Sequence, residues 1–480
     1  MKSSVRALAT ALSLIVLVTA IGGSVSTSAE AVTSAASTRA AQTAKAAAVA
    51  KPKKPKWKPA EGPVFNVPRS KPETQFRIER QVLSAIRHSK KGSRIWMSMF
   101  SFDRFPVADA LIKARKRGVQ VQVLINDHEM TPAQRKVRKA IGTNRKKKNF
   151  VAQCYKGCRS NGDVLHSKFF LFSKTGAAEN VVMVGSVNMK MNGAKNQYND
   201  LWTKNNAPNL YQRLEQLFEE QKLDQPVPKP YVNEAVGGYH LWVTPFHGVP
   251  YDDPIMEALR PVQCTGSTIN GGRTVIRVNM HAWDGSRGKY IAQRFRNLYA
   301  QGCDVKIQYG MAGAATRAVF GNPTSRGYVP VRSNGFDTDH SGPEGESDGE
   351  IDLYSHMKEL LISGNYAGVT GARWSFTGSS NYQDSGLTGD EMVLAIPGRP
   401  MFKAYRKHWD WMWAKRTRAV GYRPHTGNAD PTDPPFPARL AMSGQGLTRQ
   451  EIMDLAAPGD LPKMIVTEKY GFDSPEWRDE

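Results

Sequence analysis

The chain has 480 residues, room for two or three domains. Its formal net charge of +23 and pI near 9.8 favour polyanionic partners such as lipid headgroups, nucleic acid or wall polymers, against the blander reading of a solvated face. Past the N-terminus no segment is apolar enough to cross a bilayer as a helix.

Lys2 and Arg6 precede the apolar run A-L-A-T-A-L-S-L-I-V-L-V-T-A-I, and S-A-E-A at 28–31 offers a cleavage pattern. Residues 1–31 therefore read as a secretory signal and the chain as an extracellular protein. Residues 32–62 are rich in Ala, Lys and Pro and read as a disordered linker. A first half, 63–230, opens near P-V-F-N-V-P. The helix Q-F-R-I-E-R-Q-V-L-S-A-I-R-H follows. Then come the strand R-I-W-M-S-M-F-S-F, a helix ended by Gly118, and the strand V-Q-V-Q-V-L-I. A basic run, R-K-V-R-K-A-I-G-T-N-R-K-K-K, fills 135–148.

A second half, 231–421, replays this order. Y-H-L-W-V-T-P-F leads to P-I-M-E-A-L, T-V-I-R-V-N-M-H-A-W, K-Y-I-A-Q-R-F-R-N-L-Y-A-Q-G and D-V-K-I-Q-Y. M-F-S-F-D at 99–103 matches M-H-A-W-D at 280–284, which sets His281 and Trp283 at the end of the equivalent strand. Trp283 reads as core. Strands alternating with helices predict an α/β fold, with two similar halves that each carry a mostly parallel or mixed sheet flanked by helices. The acidic, Gly-rich stretch 337–352 lacks EF-hand spacing and reads as a mobile loop rather than a calcium site. Residues 422–480 form a C-terminal extension of no legible role. Four cysteines suit an oxidising compartment: Cys154 and Cys158 can close a small loop, and Cys264 and Cys303 remain as the second pair. A Cys-x3-Cys zinc pair lacks the further ligands it needs.

The chemistry lies in a motif that occurs twice. V-L-H-S-K-F-F-L-F-S at 164–173 is followed by V-V-M-V-G-S-V-N, and Y-S-H-M-K-E-L-L-I-S at 354–363 by S-F-T-G-S-S-N. His166 and His356, Lys168 and Lys358, and Ser173 and Ser363 all correspond, as do Ser186 and Ser379, and Asn188 and Asn381. Acids close the blocks: Asp200 in Q-Y-N-D and Glu391 in T-G-D-E. One His-x-Lys or Gly-Ser-x-Asn is commonplace. Repetition in the same order points to an internal duplication with a function. Alternation along a strand puts each His and its Lys on one face. Lys supplies charge for a phosphate, Asn and Ser supply hydrogen bonds, and His can attack phosphorus or carry a proton. Asp200 and Glu391 are placed to hold imidazole N–H groups.

This pattern resembles the phospholipase D superfamily, over residues 63 to about 420, through its His-x-Lys and Gly-Ser-x-Asn signatures. The resemblance implies halves related by a pseudo-twofold, with the motifs lining their junction. It implies a phosphohistidine intermediate: His166 attacks phosphorus, and His356 serves as general acid and then as base for water. Lys168, Lys358, Asn188 and Asn381 would hold phosphate oxygens, Ser186 and Ser379 would add hydrogen bonds, and Asp200 and Glu391 would orient the histidines. The family has Asp seven residues after each His, where this chain has Ser173 and Ser363. These are read as structural hydrogen-bonding positions. The scheme needs no metal or cofactor, and no protein partner; a monomer is expected. The reading is a secreted phospholipase D acting on glycerophospholipids, by hydrolysis and by transfer to alcohols. The alternatives are a secreted nuclease or phosphodiesterase of the same superfamily, or an inactive polyanion-binding relative. A lipid enzyme should carry apolar loops beside the site, and a nuclease a basic groove leading into it.

Overall fold

Runs of β-branched and aromatic residues, punctuated by Gly turns, build two large sheets in the computed structural model, which describes residues 56–160, 164–336, 338 and 351–420. The expected signal segment, most of the linker, nearly all of the acidic stretch 337–352 and the extension 422–480 lie outside the described residues.

In the first half the strands are β1 (Gly62–Phe65), β2 (Arg94–Met99), β3 (Gln120–Asn126), β4 (Phe150–Cys154), β5 (Phe169–Thr175), β6 (Ala178–Gly185), the short β7 (Gln197–Tyr198) and β8 (Asp200–Lys204). All but β7 form one sheet in the order β1-β8-β6-β5-β2-β3-β4. Helices Phe105–Lys116 and Pro132–Ile141 carry the chain from β2 to β3 and from β3 to β4, so these three strands run parallel. A tight turn at Gly176 makes β5 and β6 an antiparallel hairpin. A Cβ on Gly176 would stand 2.1 Å from the Trp57 carbonyl oxygen, so only glycine fits there.

That contact corrects the linker reading at its end. Trp57 stacks on His88 with ring centroids 3.9 Å apart, and Pro59 and Ala60 accept hydrogen bonds from Asn205 and Gln81. The indole and the proline bring enough apolar surface to hold residues 57–62 against the first half, despite Lys58 between them.

The second half contains β9 (Val232–Val236), β10 (Tyr239–Val243), β11 (Val262–Gln263), β12 (Val275–Trp283), β13 (Asp304–Ala312), β14 (Val331–Ser333), β15 (Tyr354–Ser355), β16 (Lys358–Tyr366), β17 (Val369–Gly378), β18 (Met392–Pro397) and β19 (Arg418–Ala419). Within its sheet the run β18-β17-β16-β12-β13-β14 has the same order and senses as β8-β6-β5-β2-β3-β4. Both sheets are mixed, with three parallel strands and an antiparallel remainder.

Each half has its own apolar core. A third core joins them, with Trp96, Phe169 and Trp202 on one side and Leu241, Leu394 and Trp409 on the other. Burying it draws the sheets together and brings two sets of strand ends to one place. Among the described residues no helix is long and apolar enough to cross a membrane.

Candidate active site

The two motifs sit where each half reaches into the other. Residues 164–167 run extended into β5. The Val164 carbonyl accepts from Asp390 N–H, and the Asp390 carbonyl accepts from His166 N–H at 3.0 Å and Ser167 N–H at 2.7 Å. The reciprocal exchange pairs β15 with β7 in parallel, and His356 N–H donates to the Tyr198 carbonyl at 2.9 Å. Each histidine segment is thus laced to the segment that precedes the other half's last motif strand.

The imidazole partners cross in the same way. His166 Nδ1 lies 2.8 Å from Glu391 Oε1, a carboxylate of the second half. His356 Nδ1 lies 3.0 Å from Asn199 Oδ1, an amide of the first half. Asn199 Nδ2 donates to the Gly193 carbonyl at 3.1 Å, which turns its oxygen toward the ring. Both imidazoles therefore carry hydrogen on Nδ1 and leave Nε2 for chemistry. His356 Nε2 is buried and has no hydrogen-bond partner among the described residues.

Asp200 does not orient a histidine, contrary to the sequence reading. Its carboxylate accepts from Thr377 Oγ1 at 2.5 Å and from the Tyr405 hydroxyl at 2.9 Å, tying β8 to β17 and to helix Arg399–Lys415. Strand register gives the reason. Gly185 faces Leu201, and Gly378 faces Val393. The position of Glu391 in the second half therefore corresponds to Asn199 in the first, and Asp200 corresponds to Met392. Glu391 does orient a histidine, as read.

The serines of the Gly-Ser-x-Asn motifs are also used differently from the sequence reading. Ser186 Oγ donates to Asn199 Oδ1 at 3.0 Å and accepts from Asp200 N–H. Ser379 Oγ accepts from Met392 N–H and bonds to Glu391. Fully buried, both hydroxyls position the residues that position the histidines, instead of facing a phosphate. Asn188 and Asn381 are nearly buried, and Asn381 Oδ1 has no partner among the described residues.

Each lysine ammonium donates to the carbonyl of its own histidine, Lys168 at 2.6 Å and Lys358 at 2.8 Å. Burial pulls the Lys168 pKa down to about 7, against the attraction of Glu391. Burial, then the neighbouring Lys168, holds Lys358 well below its usual range. His166 falls to about 4 through burial, opposed by the Glu391 carboxylate. His356 is lowered by burial, then by Lys358 and by His281. Glu391 stays ionised because His166 and Lys168 outweigh its burial. Cations crowded into a dry pocket are what an oxyanion would relieve.

Below each histidine lies a ring from the end of the matching parallel strand. Phe100 meets His166 edge-on at 5.0 Å, and His281 tilts against His356 at 4.7 Å while stacking on Tyr354. The match of M-F-S-F-D to M-H-A-W-D carried that signal. Trp283 is core, packed on Phe295, Phe320 and Tyr382. Asn199, by contrast, was masked by the acid beside it. Ser173 and Ser363 are structural as read: Ser173 Oγ accepts from Arg94 N–H, and Ser363 Oγ from Asn270 Nδ2.

Both expected disulfides are formed, Cys154–Cys158 and Cys264–Cys303. The first closes a loop beside the site. The next residue, Arg159, is buried. Its N–H donates to Asp390 Oδ2, and its guanidinium reaches Glu220 and the Thr244 carbonyl.

Residues 82–222 match the family model described as cardiolipin synthase, PLD-like domain. Among proteins of curated function none matches. Solved structures similar to the chain include polyphosphate kinase from Porphyromonas gingivalis, at 12% identity and TM-score 0.48, over 77% of this chain and 53% of that one. Phosphatidylserine synthase from Haemophilus influenzae aligns at 12% identity and TM-score 0.48, over 76% of this chain and 88% of that one. Nuc from Salmonella typhimurium, a phospholipase D family member, aligns at 23% identity and TM-score 0.25, over 33% of this chain and 93% of that one. The chain thus spans 53% of the length of the polyphosphate kinase.

Proposed function

We propose, from the premise that this chain is a member of the phospholipase D superfamily, that it is a secreted phospholipase D that cleaves glycerophospholipids through a phosphohistidine. The crossed pairing of His166 with Glu391 and of His356 with Asn199 carries this reading, because it leaves two Nε2 atoms for one phosphodiester. His166 Nε2 attacks phosphorus. The P–O bond to the headgroup alcohol breaks, and that oxygen takes the proton from His356 Nε2. Water then gives a proton to His356 Nε2 and its oxygen to phosphorus. The P–N bond breaks, releasing phosphatidate and returning His166. Lys168, Lys358 and the Asn188 and Asn381 amides take the charge of the phosphoryl oxygens.

Glu391 strengthens His166 as the nucleophile. Asn199, being neutral, does not stabilise a charged His356, which suits a group that must give up its proton and recover it. In the empty site burial keeps His356 neutral. The anionic substrate offsets that, so the proton enters with it.

The family match, whose description names cardiolipin synthase, supports a lipid substrate. The basic run reaches both sheet ends: Gln122, near the start of β3, donates to the Lys148 carbonyl, whereas Arg145 pairs with Asp224 at 2.9 Å, beside the Cys154–Cys158 loop. The two disulfides fit an extracellular compartment. Parallel incubation with phosphatidylcholine and single-stranded DNA tests the reading. Choline should appear, a primary alcohol should divert product to a transfer lipid, and His166→Ala should abolish both. Oligonucleotides without choline would make the chain a nuclease.

A further inference from the structure

Among the described residues six large apolar side chains stand exposed: Phe105, Tyr155, Leu223, Val249, Tyr251 and Val369. Scattered singly they would mean nothing, since any soluble surface shows some. They are not scattered. Tyr155 follows β4, inside the Cys154–Cys158 loop, and Phe105 opens the helix that follows β2. Leu223 ends helix Pro208–Leu223, and its neighbour Asp224 accepts from Tyr155 N–H at 2.9 Å. Val249 and Tyr251 lie on the loop that leaves β10 at Thr244, whose N–H donates to the Glu391 carbonyl. All five therefore sit at the sheet end that holds the histidines. Val369, at the tip of the β16–β17 hairpin, sits at the other end.

Arg159 gathers four of the five. It adjoins the disulfide loop, its guanidinium meets Glu220 on the Leu223 helix, and it bonds the Thr244 carbonyl at 3.2 Å. Tyr155, Leu223, Val249 and Tyr251 are each 58–66% exposed. Each tyrosine carries a cation over its ring, Lys156 Nζ at 5.5 Å from the Tyr155 centroid and Arg260 Cζ at 3.8 Å from that of Tyr251. An apolar body with a polar tip and an adjacent exposed cation suits a lipid–water boundary, where rings meet acyl chains and cations meet phosphates.

We propose that Tyr155, Leu223, Val249 and Tyr251 form a rim that docks the catalytic face on an anionic phospholipid surface. The proposal rests on the phospholipase reading, and it adds that the substrate is met as an aggregate rather than as a free molecule. None of the four belongs to the phosphate-binding set. The rim raises the local concentration of lipid and should leave turnover of a dissolved substrate alone.

The full chain is mixed with sedimentable phosphatidylcholine–phosphatidylglycerol vesicles, and in parallel with a short-chain phosphatidylcholine below its critical micelle concentration. Y155S/V249S/Y251S should weaken vesicle binding and vesicle hydrolysis by roughly tenfold or more, from the apolar area lost. Hydrolysis of the dissolved lipid should be unchanged. Val369→Ser should bind like the unsubstituted chain. If the triple variant misfolds, Tyr251→Ser alone carries the test through a smaller loss in the same direction. Vesicle binding untouched by these changes, or lost equally in Val369→Ser, overturns the rim. So does a rim-dependent affinity for single-stranded DNA without one for vesicles. Failure to cleave the dissolved lipid, with rim-dependent vesicle binding intact, instead removes the phospholipase reading and leaves the rim standing.

Discussion

At the residue scale the two histidines differ in what stands behind them. His166 has a carboxylate and a phenyl ring, and His356 has an amide and a second imidazole. Swapping those partners tests the division of labour. Asn199→Asp puts a negative charge against His356 Nδ1–H and should raise the His356 pKa by about one unit or more. The phosphoenzyme step needs His356 neutral, so it should fail at higher pH than in the unsubstituted chain. Phosphohistidine should then build up on the acid side of the profile. His281→Phe, which copies Phe100, removes a second imidazole that holds the His356 pKa down. It should move the profile the same way, by less. An unchanged pH profile for both variants, with rate alone reduced, would make Asn199 and His281 packing residues only.

At the element scale, the loop Cys154–Cys158 and the strand of Glu391 are one unit. Asp390 accepts backbone N–H groups from this loop, and its carbonyl holds the His166 segment. Burial lifts the Asp390 carboxyl to about 7, with Arg159 opposing the shift. The two disulfides should therefore differ in what their removal does. Chain entropy assigns about 2 kcal/mol to a closed loop as short as that of Cys154–Cys158, and about 4 kcal/mol to one of about forty residues. Cys264→Ser/Cys303→Ser should show the larger loss in denaturant unfolding, with the folded fraction fully active. Cys154→Ser/Cys158→Ser should lose less stability but lower kcat, because Glu391 loses its tether. Equal specific activity in the two variants would sever the loop from catalysis.

At the scale of the whole molecule, anion binding and proton uptake are linked. With the site empty, Lys168 titrates near 7 and Lys358 well below its usual range. A phosphate analogue between them favours the charged forms and raises both values. Binding should therefore take up protons above about pH 7, and affinity should weaken as pH rises through that point. Titration calorimetry of inorganic phosphate in two buffers of different ionisation heat reads the protons directly. Uptake of none would place the anion elsewhere.

The duplication, the alternation of strands and helices, the four pairing cysteines and the His-x-Lys sites were legible in the chain itself, because each depends on local spacing or on a repeated local pattern. Asn199 was not. The second motif hairpin, β16–β17, is longer than β5–β6, and counting along the chain set Asp200 opposite Glu391, whereas pairing across the strands sets Asn199 there. The crossed partnership of Glu391 with His166, 225 residues apart, has no local trace at all. It arises because burying the shared core brings both sets of strand ends together, and each histidine segment then finds its hydrogen bonds on the other half. The order of residues determined which groups could do the chemistry; only the packing of the two sheets decided which of them face one another, because side-chain hydrogen bonds across that distance form only after the chain has closed.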